Sequence, residues 1–425
     1  MLKRKIKVGV VGCGGICKAT YMDNMVNKFA IIDVVGCYDL IESRMDYMVE
    51  HYGIKKYDSL EAIVSDPEIE VIVNLTYPES HFLVSSEAMK HGKHVYCEKM
   101  MAPDFEQAKE LARLAEENHV MYTTAPDTFL GAHEQSARFY IDNGIIGKPV
   151  TVHAQVTSRY QPNTPFFDLE PRYFFFPLHY GGGFPFDLGG YYIHQMINLF
   201  GSVKRITGFG GNLNPHRVYS NPKHPKYGEA FEVDTPTTLL AALEFENGVL
   251  GTFHISSDSF PSQSFVVTGT DGTFKLGDPN MFNDHISVIR SGAAPEIKVI
   301  LPGEQPAEAS ATQVCDDPDL QTLVEIVPAD EVQLPLLHPF YDSLRGVGLA
   351  DMCYALANSR RPRCHYDIGL HAIEVIHGIQ ESCKTGRIYE MTTRCERPAP
   401  AEPSDNNDIH CIEHQLQDTG QHQRQ

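Results

Sequence analysis

The stretch Ile6–Cys17 reads IKVGVVGCGGIC. Its first half, Ile6–Val11, is a short apolar run of the kind found in strands buried on both faces. Its second half is a glycine turn, Gly12-x-Gly14-x-x-Cys17, and a helical pattern follows to about Lys28. Strand, glycine turn and helix in that order predict a pyrophosphate-binding turn. The first glycine permits the tight bend. The second leaves bare backbone for a phosphate, which then rests on the helix N-terminus. The third position wants a small residue for helix–strand packing, and Cys17 is only slightly larger than Ala. Gly12, Gly14, Gly15 and Ile16 are therefore the expected cofactor turn. The plain alternative is an ordinary strand-to-helix turn.

Outward from this turn, strands and helices alternate. Ile31–Asp39, Ile69–Thr76, His94–Glu98 and Val120–Thr124 read as strands, with helices at Ile41–His51, Ser59–Ser65, Glu79–His91 and Phe105–Asn118. Alternation of this kind implies parallel pairing with right-handed crossovers, so an α/β, doubly wound Rossmann sheet is expected. Asp39 ends the second strand, where a carboxylate accepts both adenosine ribose hydroxyls and repels a 2′-phosphate. That favours NAD over NADP. Arg44 lies one turn into the next helix, within possible reach of a 2′-phosphate, but reads more simply as a solvated helix charge.

The pattern changes after Ala125-Pro126. A helix at about Ala132–Asn143 is followed by strand-like runs at Val150–Thr157, Ile206–Phe209, Thr237–Phe245, Val249–Ser256, Ser264–Thr270 and Thr273–Leu276. Hairpin signals at Glu246–Gly248 and Thr270–Gly272 join some of them. This predicts an α+β domain with a large, mostly antiparallel open sheet. Residues 291–335 read as surface loops with one strand at most, and two helices follow at Leu344–Asn358 and Leu370–Cys383. From Thr393 the chain is polar and Pro-rich and is expected not to fold. The expected domains are thus 1–126, 127–392 and a tail, 393–425.

The totals agree with two domains, since 425 residues exceed what one core usually serves. A formal net charge of −20 argues against nucleic-acid partners, which need clustered Lys and Arg. No apolar run suits a membrane span, and the basic N-terminus alternates as a strand rather than a signal peptide, so a cytoplasmic location is expected. The ten cysteines are scattered and form no C-x-x-C pair, so free thiols are expected. A zinc site on Cys13 and Cys17 lacks further ligands, and no metal is expected.

Gly92–Ala102, GKHVYCEKMMA, resembles the GKHVLCEKPLA segment of the Gfo/Idh/MocA family of nicotinamide-dependent sugar and cyclitol oxidoreductases. Val73–His81 (VNLTYPESH), Ile141–Pro149, Gly269–Phe282, Gly346–Arg363 and Leu370–Ile379 resemble further family segments in the same order. The resemblance runs from about residue 5 to 390. It implies that Thr76, Tyr77, Pro78 and His81 form the turn beside the nicotinamide, that Glu98 contacts the cofactor, and that Lys99 contacts both the reacting hydroxyl and the nicotinamide side. Met100 stands where the family has proline. A lysine in such surroundings is expected to have a lowered pKa.

Gly181–Tyr192, GGGFPFDLGGYY, falls on the family's glycine run followed by Asp-x-x-x-His or Asp-x-x-x-Tyr. This chain carries the tyrosine form, similar to glucose–fructose oxidoreductase and dihydrodiol dehydrogenase. Asp187 and Tyr191 are spaced to share one helical face, and the glycines would let substrate and nicotinamide approach. Lys99, Asp187 and Tyr191 form the expected catalytic set. Tyr191 takes the hydroxyl proton and Lys99 lowers its pKa. Tyr192 reads first as a packing residue. With Arg159, Tyr160, Tyr173, His179 and His194 it completes the candidate substrate contacts.

The expected function is an NAD-dependent dehydrogenase acting on a secondary alcohol of a sugar, cyclitol or glycoside. One alternative is an NAD-dependent glycoside hydrolase that oxidises C3 transiently and recycles its cofactor. Others are a non-catalytic NAD sensor, which the Lys–Asp–Tyr set opposes, and a coupled cycle with tightly held NADP, which Asp39 opposes. The family resemblance also implies a homo-dimer or homo-tetramer built on the second domain's sheet.

Overall fold

The computed structural model describes residues 4–158, 183–219, 222, 226–290, 297–300, 311–314, 323–326, 331–338 and 345–401. The first sheet is built from β1 (Ile6–Val11), β2 (Ile32–Tyr38), β3 (Lys55–Lys56), β4 (Val71–Asn74), β5 (His94–Cys97) and β6 (Tyr122–Thr124). Its order is β3-β2-β1-β4-β5-β6, and every pair is parallel. The expected doubly wound sheet is present. Its switch point lies between β1 and β4, where such sheets bind ligands at their carboxyl ends.

Strand alternation sends side chains to two cores. Ile6, Val8, Val10, Val71, Val73 and Tyr96 join one, and Val11, Ile72, Val95 and Cys97 join the other. The helix after the glycine turn begins with a wide π-type turn at Cys17–Tyr21 and continues as α1 (Met22–Asn27). The crossovers are α2 (Glu42–Tyr52), α3 (Leu60–Val64), α4 (Pro78–Lys90) and α5 (Phe105–Glu117). Asp104 caps α5 by accepting from Gln107 N at 2.8 Å, satisfying an amide that the helix leaves unpaired.

After the cis Ala125–Pro126 bond, α6 (Ala132–Asp142) leads into the second sheet. Its strands are β7 (Pro149–Thr157), β8 (Val203–Gly211), β11 (Thr238–Phe245), β12 (Leu250–Ser256), β13 (Ser262–Gly269), β14 (Gly272–Leu276), β15 (Ile286–Arg290), β19 (Val332–Gln333) and β20 (Tyr389–Glu390). The order is β19-β15-β14-β13-β7-β12-β11-β8-β20. The described pairs are antiparallel except β12 with β7. A small ribbon pairs β9 (His216–Val218) with β10 (Ala230–Glu232). Within 291–335, read from sequence as loops, β16 (Ile297–Ile300), β17 (Ala311–Val314) and β18 (Leu323–Ile326) form a separate antiparallel sheet. Short strands without strong alternation leave little periodic signal.

Two short helical segments, α7 (Phe184–Asp187) and α8 (Gly189–Phe200), cover the inner face of the second sheet. Two later helices tie the domains together. α9 (Val347–Asn358) follows the second domain in sequence, yet Val347, Leu349, Ala350 and Met352 pack in the core of β1 and β4. This helix lies within 127–392 in sequence and packs with the first domain's strands. α10 (Tyr366–Thr385) packs against α5, α8 and β8, so one apolar cluster runs from the first domain into the second.

The tail also departs from expectation. Residues 393–401 do not leave the surface. Thr393 N donates to Glu374 at 2.8 Å, Cys395 N to Ser202 Oγ at 2.9 Å, Arg397 Nε to Asn198 O at 3.0 Å and Ala401 N to Gln135 Oε1 at 2.8 Å. Buried acceptors on α6, α8 and α10 hold a segment whose own composition gives no reason to fold. Residues 402–425 lie outside the described residues.

Candidate active site

The glycine turn closes as its sequence predicts. Gly12 has φ +96°, and a Cβ there would come within 2.6 Å of the Leu75 carbonyl carbon. Only glycine fits between β1 and β4 at that point. At Gly14 a Cβ would meet nothing nearer than Arg44 Nη1 at 3.8 Å, so the backbone faces open space. Lys18 N donates to Gly14 O at 3.1 Å as the helix begins. An open glycine at a helix start beside a carboxylate-bearing strand end suits a dinucleotide's pyrophosphate.

Asp39 is buried at the end of β2. Its Oδ2 accepts from Cys13 N at 2.7 Å and its Oδ1 from Ile41 N at 2.8 Å. Arg44 Nη1 lies 3.5 Å from Asp39 Oδ2, with its side chain 11% exposed. Arg44 is thus not the solvated helix charge expected. The Asp39 carboxylate draws it inward over the glycine turn. Leu40, beside this carboxylate, is 85% exposed.

The turn after β4 is braced by His81 on α4. Its Nε2 lies 3.1 Å from Thr76 O and its Nδ1 2.7 Å from Met100 O. Burial lowers the His81 pKa, although both carbonyls favour a proton. Thr76 Oγ1 donates to Asn74 Oδ1 at 2.7 Å, and Tyr77 and Pro78 open α4. The Lys99–Met100 peptide is cis.

Glu98 and Lys99 follow β5. The buried Glu98 carboxylate accepts from Tyr21 Oη at 2.8 Å and from Lys99 N at 2.7 Å. Lys99 Nζ crosses to the second domain, donating to Asp187 Oδ1 at 2.6 Å and to Asp187 O at 3.0 Å. The same ammonium stands 5.3 Å from the centre of the Tyr191 ring. Burial works against the Lys99 charge. Asp187, Tyr191 and Glu98 outweigh it and hold the amine above the ordinary lysine range. The expected lowering of the Lys99 pKa is therefore corrected, because a carboxylate at hydrogen-bond distance dominates.

Tyr191 is 6% exposed. Burial raises its phenol pKa, Arg345 and then Lys99 pull it down, and the net direction is upward. Asp187 ends α7 and Tyr191 lies in the first turn of α8, with Leu188 between the segments. They share a corner rather than one continuous helix. Gly183 (φ +86°) turns the chain into α7, where a Cβ would press on Thr235. A Cβ at Gly190 would meet Met100 Sδ at 3.0 Å. These two glycines bring protein surfaces together, while Gly181 and Gly182 lie outside the described residues.

Tyr192 and His194 stand apart from this corner. Tyr192 is fully buried, and its hydroxyl donates to Asp278 Oδ1 at 3.1 Å. His194 donates from Nδ1 to Gly190 O at 2.7 Å, and burial pushes its pKa down to about 4. Both are built into the protein interior. Arg159, Tyr160, Tyr173 and His179 lie outside the described residues.

The structure adds residues that the sequence reading missed. Tyr21 reaches Glu98 from the helix after the glycine turn. Arg345 places its guanidinium carbon 4.9 Å from the Tyr191 ring centre and donates from Nη2 to Asn280 Oδ1 at 2.8 Å. Asp127 accepts from Tyr96 Oη at 3.1 Å and from Gly346 N at 2.8 Å. A lone arginine in an aperiodic segment carries no sequence signal. Only its position just before Gly346, where a family-like segment starts, marked it.

Family models match over both domains. Residues 6–125 match the "Oxidoreductase family, NAD-binding Rossmann fold" model, and residues 135–275 match the "GFO/IDH/MocA C-terminal domain". The chain is 31% identical over 156 residues to an uncharacterized oxidoreductase of Schizosaccharomyces pombe, covering 36% of this chain and 40% of that protein. It is 28% identical over 165 residues to the inositol 2-dehydrogenase/D-chiro-inositol 3-dehydrogenase of Lactiplantibacillus plantarum, covering 37% of this chain and 45% of that one. The chain thus spans less than half the length of these two curated relatives. Levoglucosan dehydrogenase, solved with NADH and L-sorbose, shares the fold with TM-score 0.70 at 18% identity, over 92% of this chain and 99% of that one. The chain belongs to the Gfo/Idh/MocA oxidoreductase family, with an NAD-binding Rossmann domain at its N-terminal end.

Proposed function

We propose that this chain is an NAD-dependent oxidoreductase that moves a hydride between nicotinamide and a secondary alcohol of a sugar, cyclitol or glycoside. One observation carries the reading. The Lys99 ammonium, at the carboxyl end of β5, is locked to Asp187 at 2.6 Å and stands over Tyr191. A charged donor and a phenol thus meet at the edge where doubly wound sheets bind their ligands.

The turn of Gly12, Gly14, Gly15 and Ile16 would hold the pyrophosphate, Asp39 the adenosine ribose, and the Thr76–Pro78 turn with His81 behind it the nicotinamide side. Bound nicotinamide supplies the hydride acceptor and, when oxidised, a positive charge. Lys99 remains charged, so it donates a hydrogen bond to the substrate oxygen rather than taking its proton. Tyr191 takes that proton as its phenolate during alcohol oxidation and returns it as the phenol during carbonyl reduction. Asp187 fixes the Lys99 rotamer. Glu98, held by Tyr21 and the Lys99 amide, anchors the strand end beneath both.

The second sheet supports self-association. Phe209, 80% exposed, pairs with Leu240, 48% exposed, and Leu240 pairs with His254. Leu250 adds a further exposed apolar residue on a neighbouring strand. Exposed apolar side chains on neighbouring strands of an open sheet face suit a second copy of this chain. No helix among the described residues is long and apolar enough to cross a membrane. The eight described cysteines are free thiols, most of them buried, which suits a reducing, cytoplasmic compartment.

The test mixes the purified chain with NAD and a panel of inositols, hexoses and glycosides and follows NADH absorbance, with Lys99→Ala beside it. Net NADH that disappears in the variant is the expected result. Aglycone release without net NADH would replace this reading with redox-recycling glycoside hydrolysis. Tight NAD binding with neither product would point to a sensor.

A further inference from the structure

Among the described residues, Arg345 is a site-facing cation that the catalytic reading leaves without a task. It precedes α9 and is mostly buried, with its side chain 12% exposed. Its guanidinium carbon lies 4.9 Å from the centre of the Tyr191 ring and 5.7 Å from that of Phe282. Nη2 donates to Asn280 Oδ1 at 2.8 Å. Nη1 is buried without a hydrogen-bond partner and stands 3.9 Å from Asp127 Oδ1, itself buried without one. The backbone is fixed as well, because Arg345 O accepts from Asn24 Nδ2 at 3.0 Å and Gly346 N donates to Asp127. Three segments of the chain therefore hold one cation against one phenol ring.

That arrangement is costly unless it serves something. A buried guanidinium ordinarily takes a bidentate carboxylate. Here the Asp127 carboxylate is held off at 3.9 Å, and the Tyr191 ring centre lies 4.9 Å from the guanidinium carbon. A cation over an aromatic ring is attracted to the neutral ring and still more to its phenolate.

We propose that Arg345 is a positioning residue for Tyr191, acting with Lys99 to stabilise the phenolate form and so to set the pH at which Tyr191 accepts a proton. The inference rests on the reading of Tyr191 as the proton carrier. Among the described residues, the charged and titratable groups facing this tyrosine are Lys99 and Arg345 on the cationic side, and Glu98 and Asp187 on the anionic side. Tyr21 and Asp127 lie behind Arg345. Arg345 ranks ahead of Lys99 in lowering the Tyr191 pKa against burial, in agreement with its shorter distance to the ring.

The test reads the phenol directly and needs no turnover. Full-length protein labelled with ¹³Cζ-tyrosine is titrated by NMR, with Tyr191→Phe identifying the resonance. In Arg345→Met the Tyr191 midpoint should move up by about one pH unit or more, or the resonance should stay protonated to a higher pH than in the parent. Arg345→Lys, which keeps a cation near the ring, should restore most of the difference. It also guards against misreading a fold defect, which circular dichroism of each variant excludes. Superimposable titrations of the parent and Arg345→Met would overturn the proposal. The pH–rate profile separates this failure from failure of the catalytic reading. If Tyr191→Phe keeps full turnover, Tyr191 is not the proton carrier, whatever Arg345 does to its titration. If Arg345→Met lowers the rate equally at every pH, Arg345 is structural and the proposal falls.

Discussion

The Lys99 ammonium and the Asp187 carboxylate meet at 2.6 Å across the joint between the two domains. Lys99 follows the Rossmann strand β5, and Asp187 ends a one-turn helix lying on the second sheet. The pair is largely shielded from solvent, with side chains 12% and 20% exposed. The contact therefore links how the domains sit with how the site is charged.

Replacing Lys99 by Ala should cut turnover by about a hundred- to a thousandfold, the usual weight of a preorganised hydrogen-bond donor at the reacting oxygen. It should also lower stability by about 3 kcal/mol, because Asp187 is left poorly solvated and unpaired. Urea unfolding and NADH formation measure the two effects. NAD affinity should change far less, since the glycine turn and Asp39 are untouched. Turnover within threefold of the parent would remove Lys99 from the mechanism.

Tyr191→Phe keeps the ring under Lys99 and Arg345 and removes only the hydroxyl. The expected outcome is a kcat loss of about a hundredfold or more with little change in KM. A raised KM at unchanged kcat would reassign Tyr191 to substrate binding.

Asp39 and Arg44 should govern cofactor choice together. Asp39→Ala removes the charge that repels a 2′-phosphate and releases Arg44 from its 3.5 Å contact. NADP affinity should rise and NAD affinity fall, each by about tenfold, the scale of one hydrogen-bonded charge. Arg44→Ala in the same background should abolish the NADP gain. Calorimetric titration with each nucleotide checks both steps.

Acid should destabilise the fold through His371. Val203 N donates to its Nε2 at 2.9 Å, and Nδ1 lies 2.8 Å from Thr393 Oγ1, so the neutral ring is the one that fits. Burial pushes its pKa down to about 4, against 6.5 for an exposed histidine. The folded state thus binds the proton less readily than the unfolded one. The stabilisation is complete above about pH 6.5 and is lost as pH falls toward 4, amounting to roughly 3 kcal/mol. Thermal midpoints measured across that window should fall, and His371→Leu should flatten the slope while lowering the midpoint at neutral pH. His194, also driven down to about 4, contributes in the same direction.

Phe209→Glu should split the proposed assembly. A carboxylate in place of this exposed ring costs association without touching the inner core. Light scattering should report a smaller particle than the parent. A parent that is already a monomer would sink the sheet-face interface.

Much of the first domain was legible because its signals are local. Gly12 is demanded by backbone geometry at a βα turn, and the apolar runs of β1 and β4 stand between helical patterns. The second sheet was legible where long strands alternate, as in β11 and β12 with their hairpin turn. It was not legible at β16 to β18, which are too short to show a period. The tail was misread through Ala401, since nothing in its composition reports that Glu374 and Ser202 wait to accept its amides.

By itself, the sequence determined the doubly wound sheet, the tight turn at Gly12 and the carboxylate at the end of β2, since each depends on neighbours in the chain; Lys99, Asp187 and Tyr191 were nominated by family resemblance alone. Tertiary structure alone decided the rest. It drew Arg44 inward onto Asp39, raised the Lys99 pKa where a lowering was expected, and packed α9 back onto the first domain. It also laid Arg345 over Tyr191, a residue 154 positions earlier in the chain. Charge–charge and cation–ring energies depend on distance and burial, and both are fixed only when distant segments pack together.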